Sequence, residues 1–392
     1  HDRVCAGASG AFPDEPEGMA YNEEGRTERG RAFMRKRTML SRLTAAGLAV
    51  LLSASGLLTA CGTTEKKSDK RIVVFNYGDY IDRDVLKQFE KETGISVAYE
   101  EFLTPEAMYT KFKNGTIHYD LICCSDYMLD KMIQEKDVRK IDMKQLSNAH
   151  NIGDTYWKLS QNFDPDNAYS VPYFWGTVGI LYNPKLLDFK PDSWKDLWRK
   201  DYKDNIIMQD SVRDSFVPAL CQLGYSINTT DKNELQQAKK LLIDQKELVQ
   251  SYLVDEVRDD MANEQAAMAV IYSGEAGLAR DYNEDLEFVV PKEGSDVWMD
   301  SWVIPKDGEN YEGAVKFLDF LCREDIAMQN FEYVYYSTPN TAVLDEIDPE
   351  EKEDDPVIFQ SEDVVKNCEM FRYLGKDMEE YYNYMWKELK AY

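Results

Sequence analysis

Short β-branched and aromatic segments alternate with amphipathic helical segments throughout the chain after residue 70. Residues 71–76 form one such apolar run, and residues 82–93 follow with helical spacing and with Gly94 where helices commonly end. Further apolar runs cover 95–102 and 121–124. Because strands that alternate with helices pack as a sheet with helices on its faces, this pattern predicts an α/β fold with a mostly parallel sheet.

Local signals predict where two of the helices begin. Thr104 and Pro105 supply an N-cap and a proline at the first helical position, so a helix is expected from there to Lys113. Residues Asp231 and Glu234 have the spacing of a capping box, and apolar residues at helical spacing follow them. Both segments are therefore expected to be helices that connect strands.

The same pattern continues to the C-terminus. The acidic, proline-containing segment 345–355 is expected to be a solvated surface loop. The roughly 320 residues after position 70 are too many for one ordinary core and predict two domains. The remaining predicted elements are strands 178–182, 266–272, 288–290 and 302–304, a new strand and helix series from Trp194–Trp198 onward, and helices 311–323 and 378–392.

A basic cluster and an apolar run precede this region. Residues 35–37 are Arg, Lys and Arg, residues 43–58 are mostly apolar, and a Leu-Thr-Ala-Cys sequence ends at Cys61. This order predicts a lipoprotein signal peptide over 34–60, with Cys61 as the lipidated first residue of the mature chain and its anchor on the cell membrane. A transmembrane helix is the alternative, but polar residues and a glycine interrupt a run that is short for a span of about 20 residues.

Two flanking segments are set aside from the fold. Residues 1–33 are rich in Gly, Glu and Arg and have no hydrophobic period, so we expect them to be an over-extended start and disordered. Residues 61–70 are small and polar, which is typical of a tether between a lipid anchor and a folded body.

The net charge of −26 limits the classes of ligand. Nucleic acids and anionic membrane surfaces would be repelled by such a chain, so neither is expected as a partner. A cationic ligand fits the charge. A generally acidic, solubilising surface explains it equally well, so the charge alone does not choose between the two.

The cysteines and histidines offer little material for catalysis or metal binding. Five cysteines follow Cys61, an odd number without a CxxC pair, so we expect buried free thiols and no disulfide framework. Of the three histidines only His118 and His150 lie beyond residue 33, and neither has a second ligand at metal spacing. These residues predict no metal site, no cofactor and no Ser-His-Asp hydrolase.

Aromatic and acidic residues cluster where strands are expected to end, which is where ligands bind in open α/β sheets. A cleft of Trp and Tyr rings with carboxylates between them suits an elongated organic cation. Methylenes pack on the rings, ammonium groups gain cation–π attraction of roughly 0.5–2 kcal/mol each, and carboxylates accept charge-assisted hydrogen bonds. A sugar would need donors as well, whereas acids dominate here. The segments are 76–80, 125–127, 173–175, 210–214, 272–275, 298–301 and 335–337.

From Arg71 to the C-terminus the chain resembles the spermidine/putrescine-binding proteins, the extracytoplasmic receptors of polyamine ABC importers. The resemblance implies a type II periplasmic-binding-protein fold, whose two α/β lobes close on a ligand in the cleft between them like a hinged trap. It also implies a monomeric, non-enzymatic receptor that delivers polyamine to permease subunits. The collinear segments that carry it are VVFNYGDYI, YDLICCSDYMLDKM, YSVPYFWGTVGILYN, SWKDLWRKDY, LGYSINTTD, VPKEGSDVWMDSWVIP and STPNTAV.

The resemblance assigns residues to the lobes and to the site. Lobe 1 would comprise 71–174 and 299–344, and lobe 2 would comprise 175–298 and 345–392. Asp214 and Asp300 stand where the family places amine-binding carboxylates. The other implied contact residues are the first aromatic cluster of Tyr77, Gly78, Asp79 and Tyr80, the adjacent Ser125 and Tyr127, the position of Ser211, and the aromatic walls Tyr272, Trp298 and Tyr336.

Four positions depart from the family pattern. Tyr77 replaces a tryptophan often found there, Gly78 replaces a hydroxyl residue, and Phe371 replaces a polar amide. Ser211 stands where a similar spermidine binder carries an additional acid, although Asp210 next to it could compensate. These changes affect the length and the charge of the ligand that the site would accept. We expect spermidine as the first candidate ligand and putrescine as the second.

Two other functions are compatible with part of this pattern. A receptor of the same fold for a sugar, an amino acid or a ferric complex would keep every fold feature and change only the cleft. A secreted hydrolase could use Asp300 with Asp214 or Glu275 as an acid–base pair. No nucleophile, metal set or cofactor motif stands beside those acids in the sequence.

Overall fold

The computed structural model describes residues 70–392 except Asp79 and Asp255. The signal peptide over 34–60, the lipidation site at Cys61 and the segment before them lie outside the described residues, as does the predicted site residue Asp79. Among the helices that are described, none combines the length and the apolar character needed to cross a bilayer.

Nine strands of the described chain form one mixed sheet. The order of hydrogen-bonded neighbours is β2-β1-β3-β9-β4-β7-β5-β6, with β8 paired to β4. The strands are β1 Arg71–Tyr77, β2 Ser96–Phe102, β3 Leu121–Ser125, β4 Ser170–Tyr182, β5 Ile206–Gln209, β6 Val249–Leu253, β7 Met268–Tyr272, β8 Glu287–Val289 and β9 Val297–Val303.

The sheet contains two parallel sets joined by antiparallel strands. Strand β1 pairs in parallel with β2 and β3, and β5 pairs in parallel with β6 and β7. Strands β4 and β9 pair with each other and with these sets in antiparallel fashion. The prediction of a mostly parallel sheet was therefore wrong. Strand β4 carries the chain out of the first set and β9 carries it back, so the two must run in opposite directions.

Both joining strands are longer than the apolar pattern predicted. Every residue of β4 is buried, and the strand begins at Ser170, upstream of the predicted 178–182. The pairing of β4 with β9 shifts register between Pro172 and Phe174, where proline supplies no N–H for the ladder. Strand β9 begins at Val297, upstream of the predicted 302–304. Its buried polar residues Asp300 and Ser301 interrupt the apolar run, so an apolar pattern predicts only the last part of the strand.

Helices form most connections between strands and the C-terminal end of the described chain. The α-helices of the described chain are α1 Arg83–Thr93, α2 Pro105–Lys113, α3 Asp126–Gln134, α4 Asp154–Ser160, α5 Val217–Gln222, α6 Lys232–Gln245, α7 Glu256–Ala262, α8 Ser273–Tyr282, α9 Tyr311–Leu321, α10 Glu324–Val334, α11 Thr341–Glu346, α12 Pro349–Asp354, α13 Glu362–Lys366 and α14 Lys376–Ala391.

The helix caps follow the local sequence closely. The backbone N–H of Ala107 donates to the Thr104 side chain, and Gly94 ends α1 with a φ of 72°, a left-handed conformation that favours glycine. At α6, Asp231 caps the helix as predicted by accepting from the backbone of Asn233. Glu234 instead accepts from the Thr229 hydroxyl, so the predicted box forms only in part.

The acidic segment 345–355 is not the loop we predicted. Helix α11 ends at Glu346, and α12 begins after Asp348, which accepts a hydrogen bond from the backbone N–H of Glu350. Proline at the first helical position needs no partner for an N–H, and acidic residues in the first turn interact favourably with the helix dipole. The proline that indicated a loop therefore starts a helix.

Four clusters of buried apolar residues separate into two groups along the chain. Two clusters draw their buried residues from 72–175 and 297–334 together with Met370, and the other two draw from 178–286 and 357–389. The five cysteines of the described chain are free thiols, as predicted. Four are buried and Cys368 is half-buried.

Candidate functional site

Five aromatic side chains form a continuous run of edge-to-face contacts, which we call the aromatic run. Ring centroids lie 6.2 Å apart for Tyr272 and Trp298, and 5.3 Å apart for Trp298 and Tyr336. The run continues from Tyr336 to Tyr80 at 5.8 Å and from Tyr80 to Tyr77 at 5.4 Å. These residues come from β7, β9, the segment after α10, the end of β1 and the turn that follows β1, so the fold brings together rings that are far apart in sequence.

Asp300 lies beside the Tyr80 part of the aromatic run. It sits in β9 directly opposite Ser125 of β3, and its side chain is only 7% exposed. The Tyr80 hydroxyl donates to Oδ2 of Asp300 at 2.7 Å. No other hydrogen bond to this carboxylate forms among the described residues, and the buried Ser125 Oγ also has no partner there. Oδ1 of Asp300 is therefore available to a further donor.

Asp214 lies beside the Tyr272 end of the run and is also only 7% exposed. The Ser211 and Tyr272 hydroxyls donate to its Oδ2, with oxygen–oxygen distances of 2.5 and 3.0 Å. Asp214 begins a turn of 3₁₀-helix in the segment that follows β5, which ends at Gln209. The two carboxylates thus flank one series of rings and are each held by a tyrosine of that series.

Neither carboxylate forms an ion pair with any residue that the structure describes. Arg213 is adjacent to Asp214 in sequence, but its guanidinium donates to the Ile227 carbonyl and lies 4.3 Å from the centroid of Phe371. Burial raises the pKa of Asp214, although bonds from Ser211 and Tyr272 oppose the rise. Burial raises the pKa of Asp300 to about 7. Both acids are destabilised in their ionised form and would gain from a nearby cation.

The remaining predicted residues lie at the margin of this network. Gly78 is exposed in the turn after β1, with open space where a Cβ would stand. The Tyr127 hydroxyl donates to Glu106 at 2.8 Å, and the Tyr127 ring lies edge-on to Phe371 at 6.5 Å. The Tyr127 ring therefore packs at the replaced amide position, and Tyr127 also contributes to the raised pKa of Tyr77 and of Tyr272 at the two ends of the aromatic run.

The structure adds Glu275 and Gly274 to the site. The Tyr336 hydroxyl donates to Glu275 at 3.1 Å, and Arg258 forms an ion pair with Glu275 at 3.4 Å. A Cβ on Gly274 would lie 1.7 Å from the Tyr336 ring, so only glycine admits that ring at the start of α8. Both residues stand in the predicted cleft segment 272–275, and Glu275 was named as an acid of the alternative hydrolase, but neither was assigned a contact with polyamine.

Phe174 is another contact that the residue-by-residue assignment missed. Its ring lies 5.4 Å from Tyr80, and the neighbouring Tyr173 hydroxyl donates to the Tyr80 carbonyl at 3.0 Å. The signal was present, since the aromatic triplet 173–175 stood in the pattern of strand ends. No group of His, Cys, Asp and Glu in the described ranges has the arrangement of a metal site.

Comparison with known proteins decides the family. The family model for bacterial extracellular solute-binding proteins matches residues 118–368. The chain belongs to this family. The resemblance seen in the sequence is confirmed, and the α/β fold of this solute-binding protein is the fold that its family uses.

Individual relatives extend over nearly all of this solute-binding protein. A spermidine/putrescine-binding periplasmic protein of Salmonella typhimurium is 36% identical over 345 residues, which cover 87% of this chain and 97% of the relative. A putrescine-binding periplasmic protein of Pseudomonas aeruginosa is 30% identical over 370 residues, covering 90% of this chain and 100% of the relative.

A solved structure agrees in fold. The crystal structure of the spermidine/putrescine ABC transporter substrate-binding protein PotD from Streptococcus pneumoniae, in complex with calcium and HEPES, has a TM-score of 0.74 to this solute-binding protein. It is 38% identical, and the match covers 82% of this chain and 99% of the other.

Proposed function

We propose that this protein captures a polyamine, spermidine or putrescine, outside the cytoplasm and delivers it unchanged to an ABC importer. One observation carries the proposal. Two buried carboxylates, Asp214 and Asp300, flank a continuous run of aromatic rings, and neither has a cationic partner among the described residues. A chain of methylenes with ammonium groups would place its apolar part on the rings and its charges on the acids.

The chemistry favours a polyamine over the other solutes considered. A sugar needs several hydrogen-bond donors, whereas the tyrosine hydroxyls of Tyr80 and Tyr272 already donate to the carboxylates. An amino acid or a ferric complex with anionic ligands would need a cation in the site, and Arg213 is occupied elsewhere. The names of the relatives, which are polyamine-binding proteins, support the same choice.

We further propose that the site lies between two lobes, 71–174 with 299–344 and 175–298 with 345–392. The separation of the apolar clusters into two groups with nearly these boundaries supports the division. Tyr336 would then reach from lobe 1 to Glu275 of lobe 2, and closure of the lobes would surround the ligand.

Delivery requires that the receptor stay near the importer. We propose that Cys61 carries a lipid that anchors a monomer on the outer side of the cell membrane, where it meets the permease subunits. Replacing Cys61 by serine is expected to move the protein from the membrane fraction to the soluble extracytoplasmic fraction, while polyamine binding stays as in the wild type. Fractionation of cells followed by immunoblotting checks this, and a variant that remains with the membranes would contradict the anchor.

A thermal-shift panel tests the proposed function. A ligand that binds only the folded state at about 100 times its Kd adds about 2.7 kcal/mol to the free energy of unfolding, which raises Tm by several degrees. Spermidine or putrescine should give this shift, and glucose, glutamate and ferric citrate should not. A shift with one of those three solutes and none with any polyamine would replace the proposal by another receptor of the same fold.

Asp300 should make both stability and affinity depend on pH. An unfolded aspartate has a pKa of about 3.9, and burial raises the pKa of Asp300 to about 7 in the folded protein. Between these values the folded state holds a proton that the unfolded state has released. The contribution of this group to the free energy of unfolding therefore falls as pH rises from about 4 to 7.

Ligand affinity should respond to pH in the opposite sense. Only the ionised carboxylate attracts an ammonium group, so the Kd should rise about tenfold for each pH unit below 7 through this one residue. Calorimetric titrations of the wild type and of Asp300→Asn at several pH values between about 5 and 8 measure the effect. A wild-type Kd with the same pH profile as the variant would show that Asp300 does not titrate in the site.

A further inference from the structure

Asp296 lies on the same face of the sheet as two residues of the site. Alternate side chains of a strand point to the same face, and Asp296 directly precedes β9, in which Trp298 and Asp300 follow at intervals of two. Its backbone is fixed there, because Asp296 bridges to Glu369 and its carbonyl accepts from the N–H of Val178 at 3.0 Å. The side chain of Asp296 therefore lies on the face of the sheet that carries Trp298 of the aromatic run and Asp300.

The Asp296 carboxylate is buried, and its hydrogen bonds with described residues satisfy only one of its two oxygens. The residue is 1% exposed, and the backbone N–H of Phe371 interacts with its carboxylate. Oδ1 has no hydrogen-bond partner among the described residues, and the side chain forms no ion pair with them. A buried carboxylate in this condition is costly to ionise, so it requires either a proton or a cation.

Two other buried acids of the described chain, Asp164 and Asp126, do not share this condition. Asp164 is equally buried, yet it accepts hydrogen bonds from the backbone N–H groups of Ala168, Tyr169 and Ser170. Asp126 accepts from the backbone of Tyr127 and of Met299, one bond for each oxygen. Such acids are satisfied by the fold, whereas Asp296 keeps one oxygen free, on the face of β9 that carries the site.

Strand pairing places Asp296 near the Asp214 end of the aromatic run, because the N–H of Val178 donates to the Asp296 carbonyl and Val178 pairs with Tyr272 on its other side. Burial raises the pKa of Asp296, and the negative charges of Asp126 and Asp214 raise it further, while Arg213 lowers it. Asp296 and Asp214 both contribute to the raised pKa of Tyr272, the hydroxyl that donates to Asp214. A cation placed at this end would interact with both acids.

We propose that Asp296 is a third amine-binding carboxylate of the site, and that it makes the protein select a triamine over a diamine. This inference rests on the proposed function. With Asp214 and Asp300 it gives three buried carboxylates that form no ion pair with any described residue, since the nearby Arg213 donates to the Ile227 carbonyl and the Asn228 side chain instead. Spermidine has three amines and neutralises all three acids. Putrescine has two and leaves one acid without a countercharge.

Calorimetric titration of the purified protein with spermidine and with putrescine tests the inference. The wild type should bind spermidine at least about tenfold more tightly than putrescine, and Asp296→Asn, which keeps the shape and removes the charge, should lose at least about tenfold in spermidine affinity. Its putrescine affinity should change less than about threefold. The ratio of the two affinities is the quantity that a merely structural role for Asp296 would not move.

Asp164→Asn is the matched control, because Asp164 is as deeply buried as Asp296 and its carboxylate is satisfied by backbone donors. This variant should lower Tm and leave the ratio of the two affinities unchanged. If Asp296→Asn weakens both ligands equally, or neither, the inference is overturned while the proposed function stands. If the wild type binds no polyamine, the proposed function itself fails.

A second measurement on the wild type covers the case in which Asp296→Asn does not fold. At about pH 6 the amines of both ligands carry their protons, so protons released on binding come from the protein. Titrations in two buffers of different ionisation enthalpy count these protons. Spermidine should release more protons than putrescine, because it neutralises one more acid of raised pKa. Equal release with the two ligands would overturn the inference.

Discussion

Replacement of Asp300 by asparagine is expected to weaken polyamine binding by at least about 2 kcal/mol, which is roughly thirtyfold in Kd. The asparagine keeps the size of the side chain and can still accept from the Tyr80 hydroxyl, so the packing of the aromatic run should survive. The ammonium group of the ligand would lose its countercharge in a buried position, where an unpaired charge is costly. Calorimetric titration with spermidine and with putrescine measures the loss.

Asp120→Asn is the control for this experiment. Asp120 is also buried, but its carboxylate accepts from the backbone N–H groups of Val73 and Asn310 and is part of the fold. The control should lower Tm and leave the Kd for polyamine near the wild-type value. An Asp300→Asn protein that binds polyamine as well as the wild type would show that the ligand does not pair with this carboxylate.

Replacement of Gly274 by alanine is expected to lower the free energy of unfolding by about 1–3 kcal/mol and to weaken polyamine binding at least about tenfold. The new Cβ would overlap the Tyr336 ring, which packs against Gly274 at the start of α8. Tyr336 would have to move, and its contacts with Trp298 and Tyr80 and its hydrogen bond to Glu275 would be lost. Thermal unfolding and calorimetric titration measure the two effects.

The sign of the change in Tm of Gly274→Ala distinguishes overlap with the Tyr336 ring from the ordinary effect of helix propensity. Alanine in place of glycine within a helix normally stabilises it by up to about 1 kcal/mol. The double variant Gly274→Ala with Tyr336→Ala removes the overlap, so the alanine at 274 should then cost little beyond the loss of Tyr336 itself. A Gly274→Ala protein with a higher Tm and unchanged affinity would mean that Tyr336 does not occupy this position.

Elements with local signals were predictable from the sequence, and elements with long-range partners were not. The start of α2 at Pro105 and the end of α1 before Gly94 depend on residues within one turn. The first half of β9 depends on pairing with Ser125 and with Phe174, which the sequence does not reveal. The buried polar residues Asp300 and Ser301 interrupt the apolar run of that strand, so an apolar pattern omits them.

The same distinction applies to the site. Family resemblance indicated Asp214 and Asp300, and the structure connects both to one network of rings. It did not indicate Asp296, whose significance arises from burial and from a partner far away in sequence, Phe371. Glu275 stood in a predicted cleft segment, but its bond from the distant Tyr336 could not be foreseen. Period-two spacing from Trp298 was the available signal for Asp296.

A calorimetric comparison of putrescine, spermidine and 1,4-butanediol tests the pairing of ligand charge with buried carboxylates most directly. Butanediol has the carbon chain of putrescine with hydroxyl groups in place of the amines, so it can lie on the same rings and cannot neutralise Asp214 or Asp300. We expect binding heat with the polyamines and none with the diol under the same conditions. Absence of heat with both polyamines, or binding of the diol with an affinity equal to that of putrescine, would contradict it.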